Sequence, residues 1–489
     1  MTGSVSLDFI KNELISLEKT MAAEVANKSV LIESLHKDQW EAAKNMVEYL
    51  SVRNRDLRVL QDALHVHGLS SLASSESHIR RQVQAILEVL GETFPADHID
   101  ICDFSFSKKK IDEKSHLLFG NKTIPSIPSL MVTFDSGFGD SYALIKSLLE
   151  NGMNVARINC AHDDEATWSK MINKLRKASK RTGIECKVYM DLAGPKIRTV
   201  LLGRGKDKGK AKVKEGELIW LAEEAKGFGH DDVVISPNVP GIIGFLKKGD
   251  RVYIDDGVIR ATVEKTKSGK AGIRITRISS EKSQIKAGKG INFPDTLIQI
   301  PSLTDFDKAC LPFICENADL VGYSFVRTAA DISYLQTELK AISEHPPLMI
   351  IKIETPEAVS NLPSLLIEGM KQKAFGVMIA RGDLAVEIGF ERMGEIQEQI
   401  LWICEAAHVP VVWATQVLES LNKSGMATRS EITDAGQAAN AECVMINKGD
   451  HTIEVMETLK DILQRSAEHR VKKRFRFRQL KIAERFLNS

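Results

Sequence analysis

Ser129-Leu-Met-Val-Thr133, Val155-Ala-Arg-Ile158 and Lys187-Val-Tyr-Met190 are short apolar runs separated by the stretches Tyr142 to Glu150 and Met171 to Ala178. The runs are strand-length, whereas the stretches between them repeat apolar residues at helical spacing. Strand and helix in this alternation predict parallel β/α units with crossover helices. The rhythm begins near Ser126, stops after Thr199, and resumes with Leu320-Val-Gly-Tyr-Ser-Phe325, Leu348-Met-Ile-Ile-Lys-Ile353, Gly376-Val-Met-Ile379, Val411-Val-Trp-Ala414 and Cys443-Val-Met-Ile446. Three units before the interruption and five after it make eight strands, which predicts an α/β fold closed as a (β/α)8 barrel.

Working outward, residues 200–292 are rich in Gly, Lys, Val and Ile, with turn signals at Asp256-Gly257 and Lys248-Gly249-Asp250 and no helix-length pattern. They predict a small all-β insertion. Upstream, Leu57, Leu60 and Leu64 before Gly68, and Ile79, Val83, Ile86, Leu87 and Leu90 before Gly91, predict helices with glycine stops. The expected plan is a helical region 1–125, barrel parts 126–199 and 293–465 around the insertion 200–292, and a basic tail 466–489. In that tail Lys472-Lys-Arg-Phe-Arg-Phe-Arg478 reads as a solvated face with docked aromatics, and the Lys108-Lys109-Lys110 run as a solvated face or linker.

The 489 residues are 43% hydrophobic and 27% charged, ordinary for a globular protein with a large core. Lys+Arg number 66 and Asp+Glu 65, a net charge of +1 that gives no reason to expect nucleic acid or membrane as a partner. No apolar run approaches the ~18 residues of a membrane span. The polar opening with Asp8, Lys11 and Glu13 shows no signal-peptide pattern. Seven scattered cysteines without a CxxC pair imply reduced thiols and a cytoplasmic protein.

In such a barrel the chemistry collects where the strands end. There the chain places Arg157 and Asn159, Asp191 followed by Gly194-Pro-Lys-Ile-Arg198, Ser324 and Arg327, Lys352 and Glu354, Arg381-Gly382-Asp383, and Thr415-Gln416. Any one of these is compatible with an ion pair closing the barrel mouth. The set puts several charges near one axis, which is costly unless a ligand or metal uses them. Two carboxylates with few histidines suit Mg2+ or Mn2+ rather than zinc. Arg and Lys beside such an ion suit phosphoryl transfer. An enolate intermediate calls for the same metal and lysine, and spacing does not choose between the two.

At these residues the sequence resembles the pyruvate kinase family. The matching stretches are Gly152 to Asn159, Asp191 to Thr199, Lys289 to Pro294, Ser324 to Arg327, Ile351 to Glu354, Ile379 to Leu384, Trp413 to Ser420 and Thr428 to Glu431. They occur in the family's order, and the insertion sits where that family carries its β-barrel lid domain. The resemblance implies phosphoenolpyruvate/pyruvate and ADP/ATP as substrates, and leaves room for a homo-oligomer. It implies that Arg157 holds the phosphoryl group, Lys352 stabilises the transition state and enolate, and Thr415 lies near the carbon gaining a proton. Glu354 and Asp383 would bind the metal, and the backbone at Gly382 and Asp383 the substrate carboxylate. Asn159, His162, Arg198 and Lys289 would face the nucleotide, and Asn159 and Asp191 would line a monovalent-cation pocket. Gly203, Gly205, Gly209, Gly288 and Gly290 would act as lid hinges.

Departures from the family pattern shape the expectation. Ala161 and Leu192 stand where hydroxyl residues are usual, and Lys196 where a Glu is usual. Lys196 is therefore expected to supply a tethered cation beside Asp191 and Asn159, so that K+ is not required. The usual phosphate-side loop becomes Thr133-Phe-Asp-Ser-Gly-Phe-Gly139, with Asp135 awkward beside phosphates. The family's C-terminal effector domain has no counterpart after the barrel, which implies no sugar-phosphate activation. Two alternatives stand beside the phosphotransferase reading. One is a catalytically weak regulatory or binding protein. The other is a metal-dependent pyruvate-enolate lyase, since Ile353 to Ala358 also resembles an aldolase motif.

Overall fold

Eight strands close into a parallel barrel: β1 Ser129–Phe134, β2 Met153–Asn159, β3 Lys187–Asp191, β4 Leu320–Tyr323, β5 Leu348–Ile353, β6 Gly376–Ala380, β7 Val411–Ala414 and β8 Cys443–Ile446. Each pairs with the next in chain order, and β8 pairs back to β1 with Ser129 opposite Cys443. The computed structural model describes residues 6–475 except 268, 280–282, 297, 299 and 473. Of the basic and aromatic run, the part beyond Phe475 lies outside the described residues.

Side chains alternate across a strand, so every second residue of each strand faces the barrel axis. Met131, Val155, Tyr189, Leu320, Ile350, Met378, Val412 and Met445 share one interior cluster, a floor of apolar packing. Two residues further along, the same faces carry Thr133, Arg157, Asp191, Gly322, Lys352, Ala380 and Ala414. A single step toward the strand ends thus turns the interior from apolar to charged.

The upstream region is built from helices Leu7–Asn27, Trp40–Arg53, Arg58–Val66, Ile79–Val89 and Phe104–Phe119, with shorter turns between them. Ile10, Leu14, Leu17 and Met21 form one helical stripe that packs with Tyr49, Leu60, Val83 and Leu87 in a core of its own. The region is docked on the barrel by hydrogen bonds from Asn45 Nδ2 to the Ala406 carbonyl at 2.7 Å and from Gln39 Nε2 to the Lys373 carbonyl at 2.9 Å. Its last helix begins at Asp103, whose side chain accepts from the Phe106 amide, and stops at Gly120 with φ 74°. That helix ends with Leu118 and Phe119 inside the barrel-floor cluster, both fully buried. Lys108, Lys109 and Lys110 lie mid-helix, paired with Asp112 and Glu113. Lys472, read from sequence as solvated, is turned inward onto Glu442, Nζ to Oε1 2.9 Å.

Between Thr199 and Asn292 lies a seven-stranded sheet with its own hydrophobic core, plus a two-stranded ladder of Lys210–Lys212 with Gln284–Lys286. The outgoing and returning chains are tied together: the Thr199 amide donates to the Lys289 carbonyl at 2.8 Å and Arg198 bridges Gly290. At two of the supposed hinge positions only glycine fits. A Cβ on Gly203 would lie 2.5 Å from the Asp232 carbonyl oxygen, and one on Gly205 2.1 Å from that of Lys210.

Candidate active site

The charged layer forms a ring of pairs. Arg157, on β2, donates from Nε and Nη2 to Asp191 Oδ2 at 3.0 and 2.6 Å, and from Nη1 to Thr133 Oγ1 at 3.1 Å. Lys352 Nζ, on β5, lies 3.2 Å from the same Asp191 oxygen, 2.7 Å from Ser324 Oγ and 3.2 Å from Glu354 Oε1. Tyr189 donates its hydroxyl to Asp191 Oδ1 at 3.1 Å. Burial alone would push the Asp191 carboxyl up, but the Lys352 ammonium and Arg157 guanidinium outweigh it and hold the group below the usual carboxylate range. Burial likewise opposes charge on Lys352, and Asp191 and Glu354 raise it above the ordinary lysine value.

Gly322 explains how β4 admits this ring. A Cβ there would sit 2.0 Å from the Tyr189 hydroxyl and 2.4 Å from Asp191 Oδ1. The space of its missing side chain is filled by the neighbouring strand's polar pair. Beyond it, Phe325 takes φ 55° and its amide donates to Glu354 Oε2 at 2.5 Å. Thr415 and Gln416 have φ 66° and 55°, so left-handed non-glycine residues cluster on the loops at this mouth.

On the far side of the mouth, helix Arg381–Ile388 starts directly after β6. The Gly382 amide donates to Thr415 Oγ1 at 2.9 Å, which brings the position expected at the substrate carboxylate next to the one expected near the carbon gaining a proton. Arg381 is not available to a ligand: it donates from Nε to the Ala414 carbonyl and pairs with Asp434.

Lys196 is not beside Asp191, a correction to the sequence expectation. Its Nζ lies 2.7 Å from Asp383 Oδ1. Two causes act together. Both Asp191 oxygens are already taken by Arg157, Lys352 and Tyr189. The chain also turns at Gly194, φ 65°, and carries the lysine stem past Gly290 toward the insertion. Asn159 does lie in register with Asp191, but its side-chain oxygen accepts from the Ala161 amide at 3.1 Å. Leu192 is buried in the barrel core and offers no oxygen, and Ala161 has none in its side chain.

The residues expected to face a nucleotide divide into two groups. His162 is held below the ordinary histidine range by burial and then by the positive charges of Lys448 and Arg198. Arg198 donates from Nη1 to the Gly288 carbonyl at 3.1 Å. Lys289 lies at the edge of the insertion on Asp255, Nζ to Oδ1 2.8 Å. Asp135 turns to the Gly137 amide at 3.0 Å as the cap of a short turn. Sequence reasoning missed Tyr189, Thr133 and Lys448. Tyr189 had a readable signal, since it is two residues before Asp191 and so on the same strand face.

The pair Glu354 and Asp383 fits a divalent cation by donor chemistry. The Glu354 carboxyl is pushed up by burial, relieved in part by Lys352 and raised again by the charge of Asp383. Two hard carboxylates that repel each other across a mouth gain from a shared cation. Among the described residues no group of three or more His, Cys, Asp or Glu side chains forms a metal cluster, so substrate or water oxygens would complete the shell. Glu354→Gln is expected to abolish Mn2+ binding in calorimetry with the fold intact; unchanged affinity would overturn the assignment.

Glu387 closes the seam between barrel and insertion. It accepts from Asn292 Nδ2 at 2.7 Å, and burial pushes its carboxyl up to about 7, with Asp383 adding, Asn292 and Arg327 opposing, and Asp295 adding. The folded state then holds this proton more tightly than the unfolded chain. Its contribution to stability is full below the ordinary carboxylate range and is lost as pH rises to about 7. Urea midpoints should fall across that window in the native protein, and Glu387→Gln should flatten the fall, an effect of about 3 kcal/mol.

Residues 131–456 match the model of the pyruvate kinase barrel domain. The chain is similar to pyruvate kinase of Geobacillus stearothermophilus, 32% identical over 342 residues covering 68% of this chain and 56% of that protein. It is similar to pyruvate kinase of Thermotoga maritima, 29% identical over 331 residues covering 66% and 67%. It is also similar to that of Dictyostelium discoideum, 31% identical over 328 residues covering 65% and 62%. It spans little more than half the length of several such relatives. No described helix is long and apolar enough to cross a membrane. With an eight-stranded barrel, an inserted β-domain and a family match over most of its barrel, the chain belongs to the pyruvate kinase family.

Proposed function

We propose that the chain is a phosphotransferase that moves a phosphoryl group from phosphoenolpyruvate to ADP, giving pyruvate and ATP with Mg2+ or Mn2+. The observation that carries this reading is the preassembled ring Arg157–Asp191–Lys352–Glu354 at the ends of the barrel strands. Arg157 would swing its guanidinium from Asp191 to the phosphoryl oxygens, a planar fork suited to them. Lys352, already desolvated, would stabilise charge on the enolate oxygen as the P–O bond breaks, without reorganisation at that moment. The ADP oxygen forms the new P–O bond, and the enolate carbon takes a proton on the side of Thr415. A divalent ion at Glu354 and Asp383 supplies charge compensation when bound. Arg198, Lys289 and Lys448 offer positive charge to the nucleotide, and His162 a polar contact.

Independence from K+ is part of the proposal, now on different grounds. With Arg157 moved to the phosphoryl group, the oxygens of Asp191 still hold Lys352 and Tyr189, Leu192 and Ala161 provide no side-chain oxygen, and a K+ ion would find few ligands. A coupled assay with phosphoenolpyruvate, ADP and Mg2+ tests both parts. Equal turnover in Na+ and K+ is expected. Silence in Na+ with activity in K+ would overturn the second part, and silence in both the first.

One observation favours the alternative of a weakly catalytic binding protein: Asp383 is already paired with the Lys196 ammonium. An ion at Asp383 must displace that lysine. Lys196→Met is therefore expected to tighten Mn2+ binding about tenfold, ~1.4 kcal/mol, as read by calorimetry. Weaker binding in the variant would show that the lysine assists the metal site.

A further inference from the structure

A cavity of about 410 Å³ lies at the opposite end of the barrel, in the seam where the helical region meets the barrel base. Its apolar walls include Phe104, Ile111, Ile127 and Leu463. Its charges are mostly spoken for. Lys472 bridges Glu442 at 2.9 Å and Glu405 at 3.8 Å, and Lys108 is paired with Asp112 at 2.6 Å. Arg474 lies over the Phe104 ring, 4.3 Å from its centroid. Lys122 is the exception. It lines the cavity half-buried, burial holds its ammonium below the ordinary lysine range against the longer-range pull of Glu442 and Asp112, and among the described residues it makes no direct hydrogen bond or ion pair.

We infer that this cavity is a binding site for a small apolar monocarboxylate, with its carboxylate on Lys122 and its body against Phe104, Ile111, Ile127 and Leu463. A partly desolvated ammonium with no carboxylate in direct contact is unfavourable and is relieved by an anion placed on it. The volume falls within the range of small-molecule sites, and an apolar wall stands beside a rim of charged side chains that are largely paired with one another. The charge of the ligand is set by the neighbours. Glu76, Glu405 and Glu442 line the same cavity, so a dianion would be repelled where a monoanion is tolerated. An amine would meet Lys122 with like charge.

The test is calorimetric titration of the full chain with phenylacetate, phenylphosphate and benzylamine at matched ionic strength. Phenylacetate should bind saturably and the other two at least tenfold more weakly. Lys122→Met should weaken phenylacetate by tenfold or more, whereas Lys122→Arg should retain it, which separates charge from misfolding. Thr415→Ala, a small change in the barrel mouth, should leave it unchanged. No saturable phenylacetate binding, binding indifferent to Lys122→Met, or a preference for phenylphosphate or benzylamine would overturn the inference. So would loss of binding in Thr415→Ala, which would place the ligand in the mouth.

Discussion

Lys352→Met is expected to reduce kcat/KM for phosphoryl transfer by about a thousandfold or more, ~4 kcal/mol on the scale of a preorganised charge. The ammonium is nine-tenths buried and touches Asp191, Glu354 and Ser324 together, so no water or neighbouring cation can take its place. Asp191 keeps Arg157 in the variant, but Glu354 keeps only the Phe325 amide and the repulsion of Asp383. The variant is therefore also expected to lose roughly 3–5 kcal/mol of stability, as when one partner of a buried pair is removed. Rates must be read against the folded fraction, followed by circular dichroism in the assay buffer. A variant within tenfold of the native protein in kcat/KM would remove Lys352 from the chemistry.

The second large effect concerns the other end of the barrel. Removing residues 1–120 should leave a chain that does not fold to a stable barrel. Leu118 and Phe119 fill the floor beneath Met131, Ile350, Met378 and Val412, and without them that layer opens to water. The point substitution Phe119→Ala isolates the plug and should cost about 3–5 kcal/mol, the range for a large buried aromatic. Arg53→Ala, at a residue stacked over the Trp402 ring at 4.8 Å, should cost well under half of that. Urea unfolding of the two point variants, and size-exclusion chromatography of the truncation, would check this. A truncated barrel that is monomeric, soluble and cooperative would show that the helical region is an accessory.

The barrel was legible because strand and helix periods differ: seven of the eight runs quoted from sequence lie within the observed barrel strands, and the run from Leu320 overshoots its strand by two residues. Position along a strand was also legible. Arg157, Asp191 and Lys352 end their runs, and the ring they form follows from parallel strands meeting around one axis. Partner choice was not. Whether Lys196 meets Asp191 or Asp383 depends on the path of a loop set by the left-handed turn at Gly194 and on prior occupation of the Asp191 oxygens. Neither is written in local spacing. The docking of Lys472 likewise depends on two glutamates from distant helix and loop positions. The plug escaped notice for the same reason. Leu118 and Phe119 look like the end of an ordinary helix until strands from the whole length of the chain arrive around them.

That last feature has a kinetic side. The plug leaves the ribosome before any barrel strand, yet its burial site is completed only by residues as late as Met445. Contacts this distant in sequence carry a large loop-closure cost and form late. During synthesis two adjacent large apolar side chains must wait uncovered, held at the end of a helical region that has its own core and can fold first. Slow final compaction is the expected consequence, and it would fall on the base of the barrel, where the last strand completes the cover over the plug.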